Sequence, residues 1–153
     1  MTQANEIQQE FDKFAKSLRM AKHSGSWYRT CGDVDQVLEL QKSQFGRNYY
    51  VNVALWLRTL GDTKFPKENQ CHVRARLETL AADSASELAC LLDLDCYIPD
   101  GERQSLLREF LQRRLQPFLD RATSVQALRG LHREGILRSA AIRGPALSLL
   151  ETR

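Results

Sequence analysis

The spacing of apolar residues changes from a helical period to a strand period partway along the chain, and this change constrains the fold most. In residues 49–58 every second side chain is aliphatic or aromatic, which is the period of a strand that buries one face. This stripe consists of Tyr49, Val51, Val53, Leu55 and Leu57. The opposite side of the strand carries Tyr50, Asn52, Ala54, Trp56 and Arg58.

Neighbouring segments share the two-residue period and are separated by turn residues. The pattern predicts four strands, at Trp27–Cys31, Val37–Lys42, Tyr49–Arg58 and Cys71–Glu78. Gly32-Asp33 and the glycine-containing segment 43–47 are predicted turns. Because short connections join consecutive strands as hairpins, we expect an antiparallel meander with one buried and one polar face.

Helical patterns precede and follow these strands. Ile7, Phe11, Phe14 and Leu18 recur at steps of four and three residues, which predicts an amphipathic N-terminal helix. We therefore predict one α+β domain over residues 1–153: an N-terminal helix, a four-stranded antiparallel meander, then a C-terminal set of three to four helices.

The predicted C-terminal helices have recognisable ends. Asp83 or Ser84 is placed to cap the first, with Glu87 at the capping-box position after Ser84. A long helix is expected to close near Pro117. Thr123 or Ser124 is expected to cap a helix at 125–133 that Gly135 ends. The final helix includes residues 146–150.

The net charge of +3 is unevenly spread along the chain. Residues 1–99 hold 12 Lys/Arg and 13 Asp/Glu, whereas residues 100–153 hold 10 Arg and 6 Asp/Glu. The arginine-rich helices are thus either a solvated surface or a second candidate interface.

The four cysteines, Cys31, Cys71, Cys90 and Cys96, form no C-x-x-C pair, and the polar N-terminus has no apolar leader. We expect free, mostly buried thiols and a cytoplasmic location. No apolar run reaches the length of a membrane span, so no membrane contact is predicted.

The sequence lacks the motifs that identify metal-binding, phosphate-binding and hydrolase sites. Cys71 and His72 are adjacent, so on a strand they point to opposite faces and cannot bind one ion, and no metal site is predicted. Phosphate-binding and hydrolase motifs are absent, so no small-molecule cofactor is expected. Cys31, Asp33 and His72 remain as a possible nucleophilic site, but we predict that the protein is not an enzyme.

The polar side of the sheet is the predicted binding site for another macromolecule. Its candidate residues are Gln41, Asn52, Trp56, His72, Arg74 and Arg76, with Arg29 at the strand edge. Tryptophan and arginine are enriched in interface hot spots. One alternative is that the C-terminal helices cover this face, so that Trp56 belongs to the core.

A second alternative is an RNA- or single-strand-binding module. In that case Trp56 would stack on a base while Arg74 and Arg76 meet phosphates. Glu39 and Glu78 on the same alternating face make nucleic acid the less favoured partner.

Several short motifs resemble a bacterial family of domains of unknown function. They are Trp27-Tyr28-Arg29, Gly32-Asp33, Leu40–Gln44 with Gly46, Tyr50/Asn52/Trp56, Leu60-Gly61, Pro66 with Glu68, Cys71-His72 before Arg76-Leu77, and Pro117–Arg121. The resemblance extends from about Phe11 to about Leu131.

Members of that family often accompany secreted polymorphic toxins, where they look like immunity proteins. The resemblance therefore implies an inhibitor that binds a cognate toxin domain in the cytoplasm, and it supplies no catalytic residues. Because the chain is mildly basic, a neutral or acidic toxin, such as a nucleotide-using transferase, fits slightly better than a basic nuclease.

Overall fold

A six-stranded antiparallel sheet with the strands in sequential order organises the chain. It is seen in a computed structural model that describes residues 3–99 and 101–152. The strands run over Ala21–His23 (β1), Ser26–Cys31 (β2), Val34–Lys42 (β3), Tyr49–Leu57 (β4), Val73–Arg76 (β5) and Ala141–Ile142 (β6). The predicted meander is confirmed as β2–β5, and the short strands β1 and β6 extend it at its two edges.

Helices lie before and after the meander, which confirms the α+β class. The α-helices run over Glu6–Ser17 (α1), Leu77–Leu80 (α2), Ala85–Leu91 (α3), Glu102–Phe110 (α4), Gln116–Arg121 (α5), Val125–Arg133 (α6) and Gly144–Glu151 (α7). Short 3₁₀ turns occur at Glu68–Gln70 and Ala82–Ser84, and a π turn at Leu111–Leu115 joins α4 to α5.

The aliphatic face of the sheet is the face that the helices cover. Val51 and Val53 of β4 share one cluster with residues of α1, α3 and α4, including Phe11 and Phe110. Further along the same face, Leu55 and Leu57 share a second cluster with Leu128 of α6 and residues of α7. The predicted buried stripe is thus the surface on which the helices pack.

Two glycines shape the first hairpins. Ser24 and Gly25 both have positive φ, 49° and 85°, as a type I′ two-residue turn requires, and they close the β1–β2 hairpin. Gly32, with φ of 55°, closes the β2–β3 hairpin at the predicted turn.

Pro117 does not end the long C-terminal helix, contrary to the prediction. The chain stays helical to Arg121 by way of the π turn. Proline has no N–H to bond to the carbonyl four residues earlier, and its ring collides with that carbonyl. The wider π turn immediately before Pro117 is where the helix departs from α geometry.

Two further local predictions need correction. The fourth predicted strand is shorter, because β5 ends at Arg76 and α2 begins at Leu77. Ser84 precedes α3 but makes no side-chain cap; its hydroxyl instead accepts a hydrogen bond from Arg114 at 3.2 Å. Ser124, by contrast, caps α6 as predicted, accepting from the N–H of Ala127 at 3.0 Å.

The cysteines are not all free. Cys90 and Cys96 form a disulfide with their Cα atoms 5.3 Å apart, while Cys31 and Cys71 are free thiols. The chain turns back after α3, which brings two cysteines six positions apart into bonding distance. The prediction of free thiols is therefore wrong for this pair.

None of the helices in residues 3–99 and 101–152 combines the length and the apolar character that crossing a bilayer requires.

Candidate functional site

The sheet face opposite the helices carries a row of polar side chains across β3, β4 and β5, here called the polar face. It consists of Glu39, Gln41, Asn52, Arg74 and Arg76. Asn52 lies directly opposite Glu39 on one side and Arg76 on the other. The strand pairing therefore places the predicted residues Gln41, Asn52, Arg74 and Arg76 on one surface.

Asn52 is the centre of a hydrogen-bonded array on this face. Its side-chain amide donates to Glu39 at 2.8 Å and to Gln41 at 2.9 Å, and the residue is only 5% exposed. Three side chains from neighbouring strands are thus held in fixed orientations. A surface ordered in this way loses little side-chain entropy when a partner binds.

Arg74 and Arg76 are also held in place. Arg74 donates two hydrogen bonds to the buried carboxylate of Glu68, at 2.9 and 3.1 Å, and these bonds raise the pKa of Arg74 above its usual value. The Arg76 guanidinium lies 4.1 Å from the centroid of the Tyr50 ring. Glu68, which was not among the predicted site residues, begins the 3₁₀ turn Glu68–Gln70, in a segment whose sequence shows no periodicity.

Two clefts extend the polar face. The larger, of about 790 Å³, lies between the β1–β2 hairpin and the segment 64–69, and Glu39, Gln41 and Arg74 are among its lining residues. The smaller, of about 300 Å³, shares Gln41, Glu68 and Arg74 with the first and reaches Asn52 and Arg76. The polar face and the two clefts therefore form one continuous concave surface.

Trp56 and His72 are buried, contrary to the expectation of an exposed tryptophan. Trp56 is 9% and His72 8% exposed, and their ring centroids are 4.3 Å apart. The Trp56 indole N–H donates to the carbonyl of Gly61 at 3.0 Å. The segment after β4 covers this end of the face. Trp56 is therefore neither exposed, as predicted, nor covered by the C-terminal helices, as in the alternative.

His72 has a structural environment. Burial, with a smaller contribution from Arg143, lowers its pKa, and its Nδ1 accepts a hydrogen bond from the N–H of Leu57 at 2.8 Å. A ring nitrogen that accepts must be unprotonated. His72 therefore supports the fold at the end of β4 and is not part of the polar face's solvent-exposed surface.

Arg29 lies on the helix-covered face, so its predicted place beside the polar face is wrong. Its guanidinium donates to Gln36 at 3.0 Å and to the carbonyls of Leu18 and Leu119. Gln36, which is fully buried, donates to the carbonyls of Leu119 and Ala122 at 2.6 and 2.8 Å. Side chains alternate between the two faces of the sheet from Trp27 through Cys31, which places Arg29 on the helix-covered face. There it binds backbone carbonyls at the ends of helices.

The possible nucleophilic site is not assembled by hydrogen bonds among the described residues. Asp33 accepts from the N–H of Val125 at 2.9 Å, at the start of α6, whereas His72 is bonded to Leu57. Of the two free thiols, that of Cys71 is fully buried, and burial raises its pKa to about 12. Among the described residues, no hydrogen bond joins His72 or Asp33 to a cysteine.

Across residues 3–99 and 101–152, no group of three histidine, cysteine or acidic side chains is arranged to hold a metal ion.

The arginines of the C-terminal helices are largely neutralised by ion pairs. Arg103 pairs with Glu6, Arg108 with Glu10, Arg113 with Glu87 and Arg114 with Asp83, and all four acids belong to residues 1–99. The arginine excess of one half of the chain thus serves to bind acids of the other half. This weakens the case for these helices as the interface.

These features define an α+β domain with an open, pre-ordered polar face on its sheet. The chain belongs to the family described as domain of unknown function DUF4304, whose model matches residues 14–121. No curated protein and no solved structure matches the chain. The predicted membership in a family of unknown-function domains is confirmed, and the match itself carries no link to immunity proteins.

Proposed function

We propose that this protein is an immunity protein that binds and neutralises a cognate antibacterial toxin domain through the polar face. The observation that carries the proposal is the ordered array of Asn52 with Glu39 and Gln41 on the sheet face that the helices do not cover. A stoichiometric inhibitor needs a rigid surface of this kind and no chemistry of its own.

The resemblance to companions of polymorphic toxins supports the same role. In this role the protein would act in the cytoplasm of the producing cell, where a toxin must be held inactive. The mild positive charge fits a neutral or acidic toxin, such as a nucleotide-using transferase, better than a basic nuclease.

The experiment is co-expression with the product of the neighbouring reading frame. We expect that product to arrest growth when expressed alone and to be harmless with this protein, in a 1:1 complex that buries at least about 1,200 Å². A harmless product, or a toxic one that this protein does not neutralise, contradicts the proposal.

Variants test whether the polar face is the surface used. Arg76→Glu reverses a charge on the face, and Arg133→Glu makes the same change on the exposed side of α6. We expect the first to weaken the complex at least about tenfold and the second to leave it unchanged. Circular dichroism of both variants controls for folding.

A further inference from the structure

An aromatic cluster stands at the rim of the larger cleft. The rings of His23 and Phe65 are stacked, with centroids 3.9 Å apart and planes 4° from parallel, and Tyr28 meets Phe65 edge-on at 5.2 Å. The Tyr28 hydroxyl donates to the carbonyl of Pro66 at 3.0 Å. These contacts connect the β1–β2 hairpin to the segment 64–69 across the cleft.

Phe65 is in an unfavourable backbone conformation while its ring is accessible. Its φ is +51°, which costs an L-residue about 1–2 kcal/mol, and the residue is 48% exposed. A bulky side chain is kept in the left-handed region only when surrounding contacts hold it there, and such residues concentrate at binding sites. Exposed aromatics are also the usual anchors of protein interfaces.

Two lysines at this rim have no ionic partner in the described structure. Lys64 and Lys67 line the cleft beside Phe65, and within the described chain neither ammonium group takes part in an ion pair or hydrogen bond. Of the acids that line the same cleft, Glu68 is ion-paired with Arg74, and Glu39 accepts a hydrogen bond from the amide of Asn52. A partner therefore meets two free cations around an apolar ring.

We propose that this cleft receives an acidic segment of the partner protein, with carboxylates on Lys64 and Lys67 and an apolar side chain against Phe65. The inference rests on the proposed function and assigns its contact chemistry. A protein fits better than RNA, because the indole of Trp56, the predicted base-stacking residue, is buried and not free to stack.

A short synthetic peptide rich in Asp and Glu around one Phe is the direct probe. With isotopically labelled protein, we expect it to shift the amide signals of 23–28 and 64–69. The same peptide with Lys replacing every acid, and a single-stranded RNA oligonucleotide at low salt, are expected to leave them unchanged. Shifts with RNA but not with the acidic peptide would overturn the proposal.

Matched variants sharpen this test. Lys64→Glu with Lys67→Glu is expected to abolish the peptide-induced shifts. Lys13→Glu with Arg133→Glu, an equal change of charge on exposed helical residues, is expected to preserve them. Phe65→Gly removes the ring and relieves the positive φ, so we expect binding to weaken at least about tenfold without a lower melting temperature. Wild-type binding by the Lys64/Lys67 double variant overturns the proposal.

The toxin assay separates this inference from the proposed function. If the Lys64/Lys67 double variant still neutralises the toxin, the immunity role stands and the cleft is not the contact. If no toxin is neutralised but the acidic peptide binds as described, the cleft has the assigned chemistry and the immunity role fails.

Discussion

Gly32 lies where two independent constraints exclude a side chain. Its φ is +55°, and an added Cβ would come within 2.7 Å of the carbonyl oxygen of Thr123. The glycine therefore both closes the β2–β3 hairpin and permits contact between that hairpin and the segment before α6. Gly25, with φ of +85°, has no atom within 4 Å of the same position.

The two glycines form a matched pair for mutagenesis. We expect Gly25→Ala to lower the free energy of unfolding by about 1 kcal/mol, from backbone conformation alone. Gly32→Ala adds the steric clash with Thr123 and is expected to lower the free energy of unfolding by at least about 2 kcal/mol. Chemical denaturation of both variants measures the difference, and equal losses would show that the Thr123 contact is unimportant.

Cys71 and Cys31 differ in the reactivity expected of their thiols. The Cys71 pKa of about 12 leaves only about one molecule in 10,000 as thiolate at about pH 8, and the residue is fully buried. We expect alkylation of Cys71 to be far slower than that of the partly exposed Cys31, as read by mass spectrometry of peptides. Rapid labelling of Cys71 in the folded protein would contradict its burial.

The same pKa shift has a consequence for stability. A thiol whose pKa is raised on folding contributes stability at pH values below its unfolded pKa of 9.0. That contribution is lost as the pH rises from there towards about 12, because the unfolded chain gives up the proton first. Cys71→Ser should weaken this alkaline loss of stability.

At the scale of elements, the segment after α3 is fixed by a disulfide and by one arginine. Arg103 of α4, 4% exposed, donates to the carbonyls of Cys90, Leu91 and Cys96 at 2.8, 2.9 and 2.6 Å. The end of α3, the disulfide-closed loop and α4 are therefore joined by hydrogen bonds as well as by the Cys90–Cys96 bond.

Removing the disulfide should weaken this segment without unfolding it. Cys90→Ser with Cys96→Ser is expected to lower the free energy of unfolding by about 2 kcal/mol, the chain-entropy contribution of a short closed loop. Arg103 continues to hold the loop, so the circular dichroism spectrum should not change. Cys31→Ser is the control, with an expected change within about 0.5 kcal/mol.

A count of thiols tests the bridge itself. Denatured, unreduced protein should show two reactive thiols, those of Cys31 and Cys71. Four would mean that the bond does not form under the conditions of purification. The same count in protein taken directly from cells bears on the predicted cytoplasmic location, because a reducing cytosol disfavours disulfides.

For the whole molecule, electrostatic pairing joins the N-terminal helix α1 to α4 in the second half of the chain. Glu10 of α1 is fully buried and one of its oxygens bonds Arg108 of α4 at 2.6 Å. The other oxygen has no hydrogen-bond donor among the described residues. Arg108 is thus the main compensation for a carboxylate placed in the core between α1 and α4.

Removing Arg108 alone should lower the free energy of unfolding more than removing the charges of both Arg108 and Glu10. We expect Arg108→Ala to lower the free energy of unfolding by about 2 kcal/mol, less than for a fully buried pair because Arg108 is half exposed. Adding Glu10→Gln should recover much of the loss, since the buried charge is then gone. Additive losses in denaturation experiments would show that the two residues do not interact.

The larger features of the fold were predictable because they depend on local periodicity. The alternation at 49–58 identified β4 and its buried side, and the spacing of Ile7, Phe11 and Phe14 identified α1. The same alternation placed Gln41, Asn52, Arg74 and Arg76 together. β1 and β6 escaped prediction because strands of three and two residues are too short to show a period.

By itself, the amino-acid sequence determined the order of the main elements, the aliphatic stripe of β4 and the four residues that meet on the polar face. Only the tertiary structure decided that Trp56 is buried by the segment after β4, that Arg29 faces the helices, and that Glu68 binds Arg74. It also decided the Cys90–Cys96 bond. The physical reason is that periodicity specifies which side of an element a residue takes, whereas an irregular segment's position depends on contacts with residues distant in sequence.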